Sequence, residues 1–283
     1  MRFGDLTLTL INGGDFRLDG GAMHGVVPKT IWSRLVSCDE HNRCEYATNC
    51  LLVERGGRRI LIETGNGDKF PPREKEIYGI DHDESVAKHL AGLGVEAASI
   101  DYVVMSHLHF DHSGGTTRRT ASGGLEPVFP RARHVIQRGE FEDATHPHER
   151  NRASYRDENF APLAAAGLIE LVEGEHEFAP GAWVLPTPGH TAHHQSVLID
   201  DGHGHKVLFF GDVVPTSVHL RLPFIMAYDL DVVRTLETKR ALLARAVAER
   251  WLVVFGHDRQ IPSGYLGLGP KGEVSVVEPV ALA

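Results

Sequence analysis

Three histidines and an aspartate follow directly on a short apolar segment in the first half of the chain. The apolar residues are 102–105, and His107, His109, Asp111 and His112 come next. If this stretch leaves a strand as an extended turn, His107 and His109 point the same way, while Asp111 and His112 are displaced along the chain. Imidazole and carboxylate are common ligands of zinc and related metals. The stretch therefore predicts ligands for two adjacent metal ions.

Each metal needs about four to six ligands in total, so further histidines or aspartates must come from elsewhere in the chain. Three later segments share the order strand, glycine, candidate ligand, and they supply His190, Asp212 and His257. Glycine lets the backbone turn sharply and approach a metal closely. Each of these residues alone is equally compatible with an ordinary turn, but together they predict ligands at the ends of strands.

The apolar pattern indicates a layered α/β protein. Alternating or continuous apolar runs predict strands at 3–11, 50–54, 59–63, 102–105, 169–172, 183–185, 196–199, 207–210 and 252–255. Helical spacing predicts helices at 83–93 and 231–251, with two shorter ones between 138 and 167. The order of strands, helix, strands, helix occurs once in each half. Two sheets packed face to face with helices outside would satisfy this pattern.

The composition is that of an ordinary globular protein, with 42% hydrophobic and 24% charged residues. The formal net charge of -9 argues against a surface that binds nucleic acid. No apolar stretch approaches the roughly 18 to 20 residues that span a bilayer, so no membrane association is expected. No linker divides the sequence, which predicts a single domain over 1–283.

The cysteines and the N-terminus point to a cytoplasmic protein. The first residues lack the charged and then apolar layout of a secretory signal. Cys38, Cys44 and Cys50 form an odd count with wide spacing. We therefore expect no disulfide framework, and each cysteine is interpreted as an apolar filler or a free thiol.

Residues 12–30 are rich in glycine and carry few apolar residues. This composition predicts a long loop. Long loops are uncommon in compact domains and often serve as lids or binding loops. We expect this loop to cover the site or a dimer interface, with a plain surface connection as the alternative.

The seven candidate ligands together resemble the metal-binding pattern of the metallo-β-lactamase fold hydrolases. The resemblance spans nearly the whole chain and implies a four-layer αββα sandwich with two mixed sheets and a dinuclear site. It implies one metal on His107, His109 and His190, a second on Asp111, His112 and His257, and Asp212 as the bridge. Two divalent ions are implied, zinc before manganese, iron or cobalt.

Four segments of the sequence resemble one group of enzymes within this fold. Residues 106–115 and 188–196 look like the N-acyl-homoserine lactonases of this fold, and 18–29 and 222–229 resemble YtnP-like quorum-quenching lactonases. The implied reaction is attack of a metal-bound hydroxide on a lactone, with Asp111 or Asp212 as catalytic residues that pass a proton to the leaving group.

Other activities remain open on the same site. An organophosphate triesterase or aryl esterase is the alternative, and a thioester hydrolase and a metal-dependent binding protein without turnover rank below it. Asp212 argues against true β-lactamase activity, because the zinc enzymes of that kind usually lack an aspartate bridge.

This sequence differs from related lactonases at Pro215. At that position, three residues after the bridging aspartate, the related lactonases have a tyrosine. Tyr228 or His219 could polarise the lactone carbonyl instead, unless both only pack in the protein. The candidate substrate-binding residues are Met23, His219, Leu220, Phe224 and Tyr228, for which core packing is the alternative. The expected partner is a small ester or lactone, and the relatives imply a homodimer.

Overall fold

The computed structural model describes residues 1–80 and 84–282, and these residues form sixteen strands. In chain order they are β1 (Arg2–Phe3), β2 (Leu6–Asp19), β3 (Arg43–Arg55), β4 (Arg58–Ile62), β5 (Tyr102–Val104), β6 (Thr117–Arg119), β7 (Leu125–Pro127), β8 (Arg133–Gln137), β9 (Ile169–Val172), β10 (His176–Ala179), β11 (Ala182–Pro186), β12 (Gln195–Asp200), β13 (Lys206–Phe209), β14 (Leu252–Val254), β15 (Ser263–Leu268) and β16 (Val274–Pro279). All the strands predicted from the sequence are present, which confirms the pattern analysis at these positions.

Eight α-helices lie in the same described residues. They are α1 (Gly20–His24), α2 (Lys29–Trp32), α3 (Pro72–Tyr78), α4 (Val86–Gly92), α5 (Phe110–Ser113), α6 (Arg138–Thr145), α7 (Asp157–Ala165) and α8 (Val232–Ala248). The predicted helices after 138 and 231 are confirmed. Residue 83 of the predicted helix 83–93 lies outside the described residues. Within the described residues, no helix has both the length and the apolar character needed to cross a membrane.

Two seven-stranded sheets form the body of the protein. Their strand orders are β1-β2-β3-β4-β5-β8-β9 and β10-β11-β12-β13-β14-β15-β16. The first sheet is antiparallel from β1 to β4 and parallel from β4 to β9. In the second sheet only the pair β13 and β14 is parallel. Both sheets are therefore mixed, as predicted.

Alternation of side chains along the strands builds the layers. In β13, Val207 and Phe209 lie in the core between the two sheets, whereas Leu208 packs with residues of α8 on the outer face. In β5, Val104 lies in the core between the sheets and Val103 lies in the outer core that includes α4. Successive residues of a strand point to opposite faces, so each strand contributes to two apolar cores. The result is the predicted order of helix, sheet, sheet and helix.

The predicted loop at 12–30 is wrong. Strand β2 continues to Asp19 and pairs with β3 along its length, and α1 and α2 follow. The register shifts between Asn12 and Asp15, where Gly14 has a φ of 111°. Glycine therefore marks a bulge inside a long strand here, because only glycine adopts such a backbone freely.

The expectation of free thiols is wrong for two of the three cysteines. Cys38 and Cys44 are joined in a disulfide, and Cys50 is a buried free thiol. The chain reverses between the first two because the Asp39 side chain accepts hydrogen bonds from the backbone N–H groups of His41 and Arg43. This local turn brings together two cysteines whose separation in sequence does not suggest a pair.

The loops that carry Gly67 and Gly114 approach each other closely beside the candidate site. Gly67 has a φ of 69°, and a Cβ atom there would collide with the carbonyl oxygen of Gly114, just after α5. Gly94 has a similar φ of 73° but faces open space. We expect Gly67→Ala to lower the melting temperature by about 5 °C more than the matched control Gly94→Ala. Calorimetry of both variants measures this difference, and equal melting temperatures would contradict the packing argument.

Candidate metal centre

The seven predicted ligands meet at one end of the two sheets. His107 and His109 follow β5, and Asp111 and His112 lie on α5 directly after them. His190, Asp212 and His257 follow β11, β13 and β14, respectively. Strands β13 and β14 are parallel neighbours, so the segments after them leave the sheet at the same edge. All seven side chains are buried.

The second group consists of Asp111, His112 and His257, together with Asp212. One side-chain atom from each of these residues lies near a common point. The two Nε2 atoms of His112 and His257 are 3.2 Å apart. Asp212 Oδ1 lies 3.4 Å from the first and 3.1 Å from the second. Asp111 Oδ2 lies 3.6 and 3.5 Å from the same two atoms. Atoms bound to a tetrahedral zinc ion at about 2.0–2.1 Å lie roughly 3.3 Å apart, so this spacing fits a metal ion.

The first group is His107, His109 and His190. His109 Nδ1 and His190 Nε2 are 3.1 Å apart, and Asp212 Oδ2 lies 3.3 Å from His190 Nε2. His107 Nε2 is buried without a hydrogen-bond partner in the described part of the chain. Asp212 therefore turns one oxygen to each group. This is the arrangement that a bridging carboxylate requires.

The pKa values of the clustered side chains also favour the binding of cations. Burial lowers the pKa of His107 and His109, so these imidazoles are neutral and can act as ligands. Burial alone would raise the pKa of Asp212, but the surrounding imidazoles outweigh it and hold that pKa well below its usual range. Despite burial, the nearby carboxylates raise the pKa of His112, His190 and His257. The cluster thus attracts positive charge, and these residues fit divalent metal ions.

The ring nitrogens that point away from the cluster are also held. His190 Nδ1 lies 2.8 Å from Asp229 Oδ1, and His112 Nδ1 lies 3.3 Å from Glu63 Oε2. His257 Nδ1 lies 2.8 Å from the carbonyl oxygen of Ala47. Such contacts orient a ligand imidazole and set its tautomer. Neither Glu63 nor Asp229 was predicted from the sequence as a functional residue, although Glu63 ends a predicted strand.

Glu140 ties the two ligand-bearing loops together, and the sequence analysis missed it as well. Its buried carboxylate accepts hydrogen bonds from Leu108 N–H at 3.0 Å and from the Thr191 hydroxyl at 2.6 Å. The Tyr155 hydroxyl donates to the same carboxylate at 3.0 Å. The loop after β5 and the loop after β11 are therefore fixed relative to each other.

Residues 45–257, which include all seven ligand positions, match the sequence profile of a family described as the metallo-beta-lactamase superfamily. The chain belongs to this superfamily. It is therefore a hydrolase of the metallo-beta-lactamase fold, which confirms the fold and the enzyme class predicted from the sequence.

Similar proteins agree with this assignment. The N-acyl homoserine lactonase AttM of Rhizobium johnstonii is 31% identical over 223 residues, which cover 73% of this chain and 80% of the relative. A probable metal-dependent hydrolase from Staphylococcus aureus has a TM-score of 0.88 at 28% identity, with 94% of each chain covered. An N-acyl homoserine lactone hydrolase, solved with N-hexanoyl-L-homoserine at its catalytic metal center, has a TM-score of 0.68 at 25% identity, covering 89% of this chain and 93% of that chain.

Three of the predicted substrate-binding residues of this metallo-beta-lactamase hydrolase are packed in its cores. Met23 and Phe224 lie in one apolar cluster, and Leu220 lies in the cluster that includes α8. His219 is also buried, and both of its ring nitrogens are engaged, by the Thr216 hydroxyl at 2.7 Å and the Met23 carbonyl at 2.9 Å. Three of these four side chains therefore pack in apolar clusters, and the fourth, His219, has no free ring nitrogen.

Tyr228 differs from these four residues, because 37% of it is exposed and no hydrogen bond holds its hydroxyl within the described residues. Burial of the ring raises the pKa of the hydroxyl, and the negative charges of Asp19 and Asp111 contribute. The hydroxyl is therefore protonated and can donate. Pro215 has no such group, and its carbonyl oxygen accepts a hydrogen bond from His257 N–H at 2.9 Å.

Asp229→Asn tests the contact behind His190. An amide is a weaker acceptor than a carboxylate for an imidazole N–H, so we expect the affinity for metal to fall by about 10- to 100-fold. Competition with a chromophoric chelator measures the affinity. The control is Asp143→Asn, since the Asp143 side chain is partly exposed and its one ion pair among the described residues is with the exposed His193 at 3.9 Å. Equal metal affinity in the two variants would contradict the orienting role.

Proposed function

We propose that this hydrolase holds two divalent metal ions in the candidate centre and opens the lactone ring of N-acyl-homoserine lactones. The observation that carries the proposal is the position of Asp212, whose two oxygens lie 3.1 Å from His257 Nε2 and 3.3 Å from His190 Nε2. The substrate class is supported by relatives that are named as lactonases.

The proposal assigns each ligand to one ion or to both. The first ion would be held by His107, His109 and His190, the second by Asp111, His112 and His257, and both by Asp212. Zinc is the expected metal, and manganese, iron or cobalt also suit these ligands. When bound, the ions supply an acidified water molecule and a Lewis acid for the lactone carbonyl.

The carboxylates of the chain move the proton. Asp111 makes both of its contacts with the second group through Oδ2, which leaves Oδ1 to accept the proton of the attacking water. Both oxygens of Asp212 face imidazoles instead. Asp111 is therefore the favoured residue to deliver a proton to the leaving alkoxide, and the product is a ring-opened hydroxy acid.

Tyr228 is the favoured residue to orient the lactone. Its hydroxyl is free within the described residues, burial raises the pKa of that hydroxyl, and the next residue, Asp229, contacts His190 of the centre. His219 is less suited because both of its ring nitrogens already have partners. A neutral hydroxyl donor beside the centre can stabilise the developing charge on a carbonyl oxygen.

A substrate panel tests the reaction. We expect the metal-loaded protein to open short- and long-chain N-acyl-homoserine lactones with kcat/KM above about 10⁴ per molar per second. Paraoxon and a nitrophenyl ester should be turned over far more slowly. Protein treated with a chelator is the control and should be inactive until metal is restored. Fast turnover of only paraoxon or the aryl ester would reject the lactonase and favour the alternative activity.

Asp212→Ala tests the bridge. Without a carboxylate between the two groups, we expect one metal ion per chain instead of two and a loss of kcat/KM on the order of a hundredfold or more. Metal analysis by mass spectrometry and lactone hydrolysis measure the two effects. Asp143→Ala is the control, because this aspartate lies on the exposed side of α6. Two ions and full activity in Asp212→Ala would reject the assignment.

A further inference from the structure

Tyr46 on β3 carries a hydroxyl that nothing in the fold explains. Only 3% of the residue is exposed, and the hydroxyl has no hydrogen-bond partner in the described part of the chain. A buried polar group without a partner destabilises a protein, and phenylalanine would fill the same space without that cost. An unpaired hydroxyl of this kind is expected where a ligand supplies the partner.

The position of Tyr46 links the metal centre to a groove. The groove has a volume of about 580 Å³, and both Tyr46 and His257 line it. The ring of Phe16 packs against both, with centroid distances of 6.3 Å to Tyr46 and 5.3 Å to His257. Ala47, the next residue on β3, holds His257 Nδ1 through its carbonyl. Tyr46 therefore lies directly beside a ligand of the centre.

The rest of the groove suits a neutral chain. Leu35, Val36 and Val218 contribute apolar walls, and the last two pack on the same cluster as Tyr46. The charged groups in the groove already have partners. Arg17 pairs with Glu45 at 2.6 Å, Arg43 pairs with Asp39 at 2.9 Å, Arg259 pairs with Glu45, and Asp258 accepts hydrogen bonds from the Ser217 backbone and hydroxyl. These pairs leave little charge for an ionic ligand, so an alkyl chain with one hydrogen-bond acceptor fits better.

The Tyr46 hydroxyl is a hydrogen-bond donor, and Tyr228 is among the groups that influence it. Burial raises the pKa of the Tyr46 hydroxyl, and Tyr228 contributes next, so the Tyr46 hydroxyl keeps its proton and can donate. Tyr228 is partly exposed, and its hydroxyl has no partner among the described residues.

We propose that the Tyr46 hydroxyl donates a hydrogen bond to the amide carbonyl of the N-acyl group and so directs the acyl chain into the groove. This inference rests on the proposed function and names the residue that recognises the acyl amide. In the proposed function the ester of the substrate would be held at the metal centre beside Tyr228, so the amide is the next polar group of such a substrate. The amide lies between the ring and the alkyl chain of the substrate, and Tyr46 lines the groove together with His257 and the apolar residues.

Tyr46→Phe tests the proposal with substrates that differ only in the amide. One pair is N-hexanoyl-homoserine lactone and a γ-lactone of the same chain length without the amide. We expect KM for the amide-bearing lactone to rise about tenfold, with kcat little changed, as the loss of one hydrogen bond implies. The amide-free lactone should change less than twofold. The matched control is Tyr102→Phe, because Tyr102 packs on Phe178 at the opposite end of β5.

The remaining outcomes separate this inference from the proposed function. An equal effect on both lactones, or no effect on either, overturns the role of Tyr46. Because the hydroxyl is unpaired, Tyr46→Phe should melt no lower than the wild type, so an altered KM cannot come from poor folding. A second pair is a nitrophenyl ester of an N-acylglycine and a nitrophenyl alkanoate of equal length.

If the wild type opens no lactone but hydrolyses these esters, the lactonase is rejected and the second pair still decides the role of Tyr46. If the wild type hydrolyses none of the four compounds, both proposals fail.

Discussion

The buried carboxylate of Asp212 is the constraint on which the rest of the structure depends. An ionised carboxylate is costly to bury unless cationic groups surround it. Here imidazoles from three separate segments compensate it, through His112, His190 and His257. Strands that are far apart in sequence must therefore end at one edge of the two sheets. The parallel pairing of β13 with β14 meets this requirement for Asp212 and His257.

Precision at the centre comes from groups that no metal ion would touch. Glu63 is the clearest case, since its backbone has a φ of 66°, a conformation that non-glycine residues rarely adopt. In that conformation its carboxylate accepts a hydrogen bond from Ser106 N–H at 2.7 Å and reaches His112. Strained residues of this type persist where the surrounding structure holds them, often beside functional sites. In Glu63 the strained backbone conformation allows its carboxylate to orient the imidazole of His112.

Much of the fold and of the candidate centre could be predicted from the sequence because the signals are local. Strand periodicity and the order of strand, glycine and ligand depend on neighbouring residues only. The bulge at Gly14 was not recognised because glycine in a strand and glycine in a loop look alike without the partner strand. Asp229 could not be predicted for a different reason. Its partner His190 is 39 residues away, and a single acidic residue carries no signal of such a contact.

The contact between Asp229 and His190 also connects the metal centre with the position of Tyr228. Asp229 is the residue after Tyr228, and the backbone N–H of the next residue, Leu230, bonds to the carbonyl of His190 at 3.1 Å. The segment that presents Tyr228 is thus anchored to the imidazole of the first group. Two binding equilibria that depend on the same contact are linked, and each affects the other by the same factor. Because His190 is a candidate ligand, an ion that orients this imidazole would also fix the segment that carries Tyr228, and a molecule held by Tyr228 would in turn favour the same position of His190.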